Sequence, residues 1–439
     1  MIANEFRELY AIHLFHRLNQ IHQALGEAVF EQLVIDGGGL KYRFLDDTSY
    51  PFRLNPYLAR LAPLQQLPDS FIIIEEGSLK PRLLVYQPRD YWHAVAGIDD
   101  ECLHGQFQIE NYHDRDQLYA ELPNHSLVAY LGERPELVDQ ATANPPALLN
   151  RLDFQQAVKT DYEIACIARA NLIAARGHER VRVDCQRPTS ELALHLAYLE
   201  AIAATEEELP YDNIIACNAN ASTLHYTQRE RTLTNPQSLL IDAGATYAGY
   251  CADISRTYCA KGGLFQELIN AMEALQLRLV AAVKPGINYV SLHEQAYREI
   301  GQLLVDFNFL RCSAEQAVAG RLVGIFFPHG VGHLLGVQVH DRGGWQHTPE
   351  GAIQPPPEEY PFLRLTRTLA VNQVFTIEPG LYFIPQLLQA ASDSQRRCIN
   401  QELVEAMLPY GGIRIEDNVC VSDDGADNLT RTAFATLAH

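Results

Sequence analysis

Short unbroken apolar runs, set between polar turns with glycine and proline, mark the first part of the chain: residues 70–74, 82–86 and 126–130. Runs of that length bounded by turn residues predict buried strands. A helical stretch at 4–31 lies beside them, so residues 1–157 are expected to form an α/β domain. The pattern changes after Asn144-Pro145-Pro146. Thr160 and Glu163 fit a capping box, in which each side chain satisfies the other residue's free N–H, and Ile164, Ile167, Ala168, Leu172 and Ala175 then recur at helical spacing. Further amphipathic helices are predicted at 189–207, 264–283 and 291–306, the last opened by a box of Ser291 with Glu294. Strand patterns fall at 237–242, 249–258, 373–378 and 413–421. Helices with non-adjacent strands predict an α+β second domain, residues 158–439.

Composition agrees with more than one soluble domain: 439 residues, 47% hydrophobic and 20% charged. No apolar run approaches the roughly 18 to 20 residues of a membrane helix, and the start of the chain lacks the basic and apolar regions of a secretory signal. Nine cysteines, an odd number with no CxxC pair, point to reduced thiols and a cytoplasmic protein. A formal charge of -20 argues against nucleic acid or an anionic membrane as partner.

Some of those carboxylates stand where strands should be buried. Asp242 follows Leu239-Leu240-Ile241, and Asp253 follows Tyr250-Cys251-Ala252. A hairpin centred near 247 and 248 would set the two opposite each other, within about 5 Å on one face. Like charges that close call for a cation or a shared proton. Either residue alone also suits a turn or an exposed site. Between 329 and 340, three of the sixteen histidines (His329, His333, His340) are interleaved with glycines, which disfavour a helix and suit a loop that aims imidazoles inward. Glu378 ends the apolar run Phe375-Thr376-Ile377 and is cut off by Pro379-Gly380, while Arg414 and Glu416 alternate with Ile413 and Ile415. An Arg so near a Glu is also a common surface pair. Four carboxylates and one imidazole without a thiolate suit two divalent ions, Mn²⁺ best, with Co²⁺, Fe²⁺ or Zn²⁺ acceptable. Two ions about 3.5 to 4 Å apart can activate a bridging hydroxide for hydrolysis.

In their contexts (IDAG, ADISRTY, HGVGH, TIEPG and IRIED) these five positions resemble, in order, the metal signature of the pita-bread metallopeptidases. Pro210-Tyr211-Asp212-Asn213-Ile214, Leu224-His225-Tyr226, Val339-His340-Asp341 and Phe44-Leu45-Asp46-Asp47 look like the bacterial prolidase branch. The resemblance implies a pita-bread fold for the C-terminal domain and hydrolysis of dipeptides ending in proline, with organophosphorus esters as a side activity. It implies metal ligation by Asp242, Asp253, His333, Glu378 and Glu416. Glu378 would be the general acid/base, His340 and His329 would assist catalysis, and Arg414, His225, Tyr211 and Tyr289 would form the substrate pocket. Arg414 either reads the substrate carboxylate or compensates Glu416. A homodimer is expected, with Asp46 or Asp47 reaching a partner's pocket or forming a plain turn. The alternatives are an aminopeptidase P with longer substrates, a creatinase-type hydrolase working without metals, and a non-catalytic binding protein on the same fold.

Overall fold

The computed structural model describes residues 2–64, 67–95, 97–98 and 100–438. Its chain divides into two compact units: one runs to Ala165 and also takes in Gln346–Ile353, and the other holds Cys166–Trp345 and the chain from Gln354 onward. The division falls inside the helix Asp161–Asp184, and an eight-residue segment from late in the sequence joins the first unit.

The first unit is built on a mixed sheet of six strands: β1 (Gln32–Asp36), β2 (Ser70–Glu75), β3 (Arg82–Tyr86), β4 (Gln108–Tyr112), β5 (Val128–Leu131) and β6 (Thr142–Ala143), in the order β4-β3-β2-β1-β5-β6. β1 pairs antiparallel with β2 and parallel with β5, so its Leu33, Val34 and Ile35 are wholly covered. Its apolar run is too short to stand out directly after a long helix. β4 was equally hidden, because its side chains are exposed or half-buried and carry no apolar run. The helix Arg7–Ala28 buries Tyr10, Leu14, Leu18, Ile21 and Leu25 at helical spacing and ends on Val29 in the left-handed region (φ 62°).

Charge is buried at the end of this unit. Glu163 is fully covered and pairs with Arg17, while Arg60 Nε lies 3.5 Å from its other oxygen. Glu163 also accepts the Thr160 N–H at 2.8 Å, and the return bond of the capping box, Glu163 N–H to the Thr160 hydroxyl, is long at 3.5 Å. Burial alone would raise the carboxyl's pKa, but Arg17, Lys159 and Arg60 outweigh it and hold it well below the ordinary range.

In the second unit, the helices Asp161–Asp184, Glu191–Ile202, Leu264–Ala281 and Tyr289–Asp306 pack on small antiparallel sheets. The last of these helices starts earlier than expected. Asn288 caps it by accepting the Val290 N–H at 2.9 Å, so Ser291 lies inside the helix and the box with Glu294 does not form. One sheet joins β7 (Ile214–Cys217), β8 (Ser238–Asp242) and β11 (Ser255–Cys259), while β9 (Thr246–Tyr247) and β10 (Tyr250–Cys251) form the tip of the β8–β11 hairpin. β12 (Val374–Ile377), β15 (Asp417–Val421) and β16 (Ala426–Asn428) form a second sheet, and β13 (Gly380–Tyr382) pairs with β14 (Gly412–Arg414). Two stretches expected as single strands are therefore interrupted, at 252–254 and 415–416, and the one expected at 373–378 ends at Ile377.

Replacing Arg17 by Met strips the main partner from a buried carboxylate and is expected to cost about 3 kcal/mol at neutral pH. Because the folded pKa of Glu163 is depressed, its ion-pair stabilisation is present above the ordinary value of 4.5 and fades as pH falls further. Urea unfolding of this unit between pH 7 and pH 3 checks both points: the deficit of Arg17→Met should shrink towards acid.

Candidate metal centre

The β8–β11 hairpin turns through Ala248 (φ 50°) and Gly249 (φ 85°), the paired left-handed residues of a type I′ turn. This places the centre of the hairpin one residue later than the sequence suggested. Asp242 therefore stands opposite Ser255, and Asp253 comes opposite Gly244, between the bonds Ala252 N–H to Ala245 O and Ala243 N–H to Ile254 O. The two aspartates are diagonal rather than direct neighbours, and they still converge. The Tyr211 hydroxyl lies 2.7 Å from Asp242 Oδ1 and 2.6 Å from Asp253 Oδ1. A phenol has one hydrogen, so one of these two oxygens needs a further proton or a cation.

Asp253 sits in a gap of the ladder that Asn418 fills. The Asn418 amide donates to the Asp253 carbonyl and accepts the Asp253 N–H at 3.0 Å, imitating a strand partner. Gly244 allows the close approach, since a Cβ there would stand 2.1 Å from the Ala252 carbonyl oxygen.

The histidine segment is a non-helical loop, as the glycines implied. It runs alongside β12, with Thr376 N–H bonded to His333 O at 2.9 Å and Glu378 N–H to Val331 O at 2.8 Å. Gly332 is required there, because a Cβ would come 2.0 Å from the Thr376 carbonyl oxygen. His333 Nδ1 lies 3.1 Å from the Leu334 carbonyl, which only a protonated Nδ1 can bond, so the lone pair is left on Nε2. That Nε2 faces Asp253 Oδ2 at 3.4 Å and Glu378 Oε1 at 3.6 Å.

Arg414, almost wholly buried, is committed within the protein. It donates to Asp242 Oδ2 at 2.7 Å, to the Tyr382 hydroxyl at 2.9 Å and to Ser255 Oγ at 3.0 Å. Ser255 in turn donates to Glu416 Oε2 at 2.7 Å. Since a guanidinium only donates, the Tyr382 hydroxyl must give its own hydrogen to His329 Nε2, 2.9 Å away, and His329 Nδ1–H goes to the Gly330 carbonyl at 2.8 Å. Both nitrogens of His329 are thus spent, and burial pushes its pKa down to about 3.

Burial and the neighbouring Asp253, Glu378 and Asp242 push Glu416 well above the ordinary carboxylate range. Burial likewise moves Glu378 up to about 7, against His333 and Arg414. Asp242 is also raised by burial and by Asp253, whereas at Asp253 the opposing effect of burial is outweighed by His333. His333 rises above its ordinary value through Asp253 and Glu378 in spite of burial. Asp253, His333 and Glu416 each present a donor atom within 4.8 Å of one another. Four carboxylates, three of them buried and Glu378 half-buried, would when ionised outnumber one guanidinium and one imidazole, an excess that divalent cations would neutralise. The donor set fits such ions.

His340 lies at the exposed edge, its ring edge-on to His333 with centroids 4.4 Å apart. Desolvation, with His333 and Arg364 nearby, lowers its pKa to about 3. His225 is exposed, close enough to act electrostatically on both His329 and His340. Tyr289 does not line a pocket: it is fully buried and its hydroxyl goes to the Thr376 carbonyl at 2.7 Å, behind the ligands. Sequence reading passed over Ser255, Asn418, Tyr382 and Arg364. The first two lie one or two residues from a metal-ligand candidate, the signal that could have found them; Tyr382 and Arg364 are recognisable only in three dimensions.

Residues 165–423 match the model of metallopeptidase family M24, and residues 8–154 match that of the Xaa-Pro dipeptidase N-terminal domain. The Xaa-Pro dipeptidase of Shewanella frigidimarina is 42% identical over 429 residues, 95% of this chain and 98% of that protein. That of Pseudoalteromonas haloplanktis is 43% identical over 430 residues, 96% and 98% of the two chains. Among solved structures, Escherichia coli aminopeptidase P with the inhibitor Pro-Leu superposes with a TM-score of 0.73 at 22% identity, covering 95% of each chain. Proline aminopeptidase P II from Yersinia pestis gives 0.71 at 24%, covering 96% and 99%. At those identities the structures establish likeness of fold.

Because burial raises the Glu378 pKa to about 7 and that of Glu416 above the ordinary carboxylate range in the metal-free protein, loading with Mn²⁺ at pH 6.5 should release protons and raise the melting temperature. Proton release should fall, and apparent affinity climb, as pH rises through about 7. Calorimetry in two buffers of different ionisation enthalpy measures this; binding without proton release would refute the charge assignment.

Proposed function

The chain belongs to metallopeptidase family M24, among its Xaa-Pro dipeptidases, and on that premise we propose that Asp242, Asp253, His333, Glu378 and Glu416 hold two divalent ions for hydrolysis of dipeptides ending in proline. The observation that carries the reading is that His333 Nε2 faces Asp253 and Glu378, with Glu416 in the same cluster and Asp242 joined to Asp253 through Tyr211. In this assignment all five side chains would hold the ions. Bound ions supply Lewis-acid polarisation of the scissile carbonyl and make water acidic enough to act as nucleophile.

The remaining chemistry belongs to side chains. Glu378 takes the proton of the attacking water and passes it to the proline nitrogen, which has no hydrogen and must gain one to leave. Neutral His340 donates an N–H to the carbonyl oxygen as charge develops there. His329 holds Tyr382, and through it Arg414, in place on Asp242. With Arg414 so committed, reading of the proline carboxylate passes to Arg364. Arg364 is exposed near His340 and pairs with no described residue. His225 completes that subsite, and Tyr211 forms its wall beside the aspartates.

Manganese, cytoplasmic action and a homodimer belong to the same proposal. The oxygen-rich donors support manganese, and nine free cysteines support a reducing compartment. The hairpin bearing Phe44 and Leu45, 89% and 92% exposed, supports contact with a second copy of the chain. The N-terminal region to about residue 157 and the catalytic region after it divide the labour accordingly.

Metal-stripped protein supplied with Mn²⁺ should hydrolyse Ala-Pro far faster than Ala-Pro-Ala. Efficient tripeptide cleavage with poor dipeptide cleavage would instead establish an aminopeptidase P activity. Arg364→Met should raise KM for Ala-Pro by about 10-fold to 100-fold, the effect of losing a charge-assisted bond of about 1.5 to 3 kcal/mol, with a smaller change in kcat. An unchanged KM would remove Arg364 from the carboxylate subsite.

A further inference from the structure

The segment from Cys217 to Glu230 presents His225 to solvent at the edge of the metal centre, and most of it has no regular structure to hold it. One buried carboxylate performs that task. Glu191, 2% exposed at the first turn of the helix Glu191–Ile202, accepts four hydrogen bonds, all from this segment. Oε1 takes the Cys217 N–H and the Asn220 side-chain amide, each at 2.8 Å, and Oε2 takes the Tyr226 hydroxyl and the Glu230 N–H, each at 2.7 Å. A carboxylate has about four acceptor positions, so this one is saturated. Asn220 also donates to the Tyr226 hydroxyl at 3.0 Å, which ties the donors together.

Tyr226 is buried and next to it His225 is exposed, so anchoring the one fixes the path of the other. Two backbone bonds between Thr189 and Thr234, at 3.0 and 2.8 Å, close the base of the segment. None of these contacts involves a metal-ligand candidate. We infer that Glu191 is a positioning residue for substrate binding, which aims His225 at the proline carboxylate by ordering the Cys217–Glu230 segment. The inference rests on the reading of His225 as a substrate contact.

Kinetics of Ala-Pro hydrolysis by the Mn²⁺-loaded enzyme test it, together with hydrogen exchange over residues 217–230. Glu191→Gln replaces an acceptor oxygen with a donor. Tyr226→Phe removes one bond while keeping the ring, and it decides the question if the first variant does not fold. Each should raise KM about tenfold with kcat within about twofold, the signature of lost binding rather than lost transition-state chemistry, and amide protection in the segment should fall. On a His225→Ala background the same changes should leave KM where His225→Ala already set it. If His225→Ala raises KM and neither Glu191→Gln nor Tyr226→Phe does, the positioning role is overturned while the substrate reading stands. If His225→Ala leaves KM unchanged, the substrate reading of His225 fails and the inference fails with it.

Discussion

Negative charge packed into a largely buried space is the constraint around which the second unit is arranged. Asp242, Asp253, Glu378 and Glu416 are drawn together against their mutual repulsion, with the Arg414 guanidinium and the His333 imidazole nearby. Much of what surrounds them answers that repulsion. Tyr211 bridges two of the carboxylates, Ser255 steadies a third, and Tyr382 with His329 holds the guanidinium on Asp242. An enclosed cage of this kind would be a liability in a protein with no use for cations, because each ionised carboxylate there costs several kcal/mol without compensation.

The cage is made where regular pairing stops. Asp242 is the last residue of β8, Asp253 occupies the gap between β10 and β11, Glu378 that between β12 and β13, and Glu416 that between β14 and β15. A residue inside a ladder has its orientation fixed by the pleat, whereas a residue at a break can turn towards a common centre while the strands on either side keep it rigid. Asn418 shows how the backbone groups freed at one break are satisfied without restoring the strand.

The same breaks explain which parts of the fold could be read from the sequence. Asp242, Asp253 and Glu378 were legible because each ends an apolar run, and Glu416 because it alternates with Ile413 and Ile415. The hairpin register was not. Moving the turn by one residue changes the partner of Asp242 from Asp253 to Ser255, and the left-handed pair Ala248–Gly249 that fixes it lacks the usual Asn-Gly signal. The role of Arg414 was hidden for a different reason: a guanidinium two residues from Glu416 proved to serve Asp242, far away in sequence, across a sheet junction. In the first unit, β1 and β4 escaped notice because one is brief and the other half exposed, although Thr160 and Glu163 marked the start of the long helix in advance.

The segment Gln346–Ile353 belongs with the first unit, where the Gln346 amide donates to the Asn150 carbonyl at 3.0 Å and the Asn150 amide to Glu350 O at 3.2 Å. On a ribosome the N-terminal part of that unit emerges early, but its last piece follows only after Cys166–Trp345 has been synthesised. Its completion is therefore deferred until most of the polypeptide exists, and no single uninterrupted stretch of the gene encodes it whole.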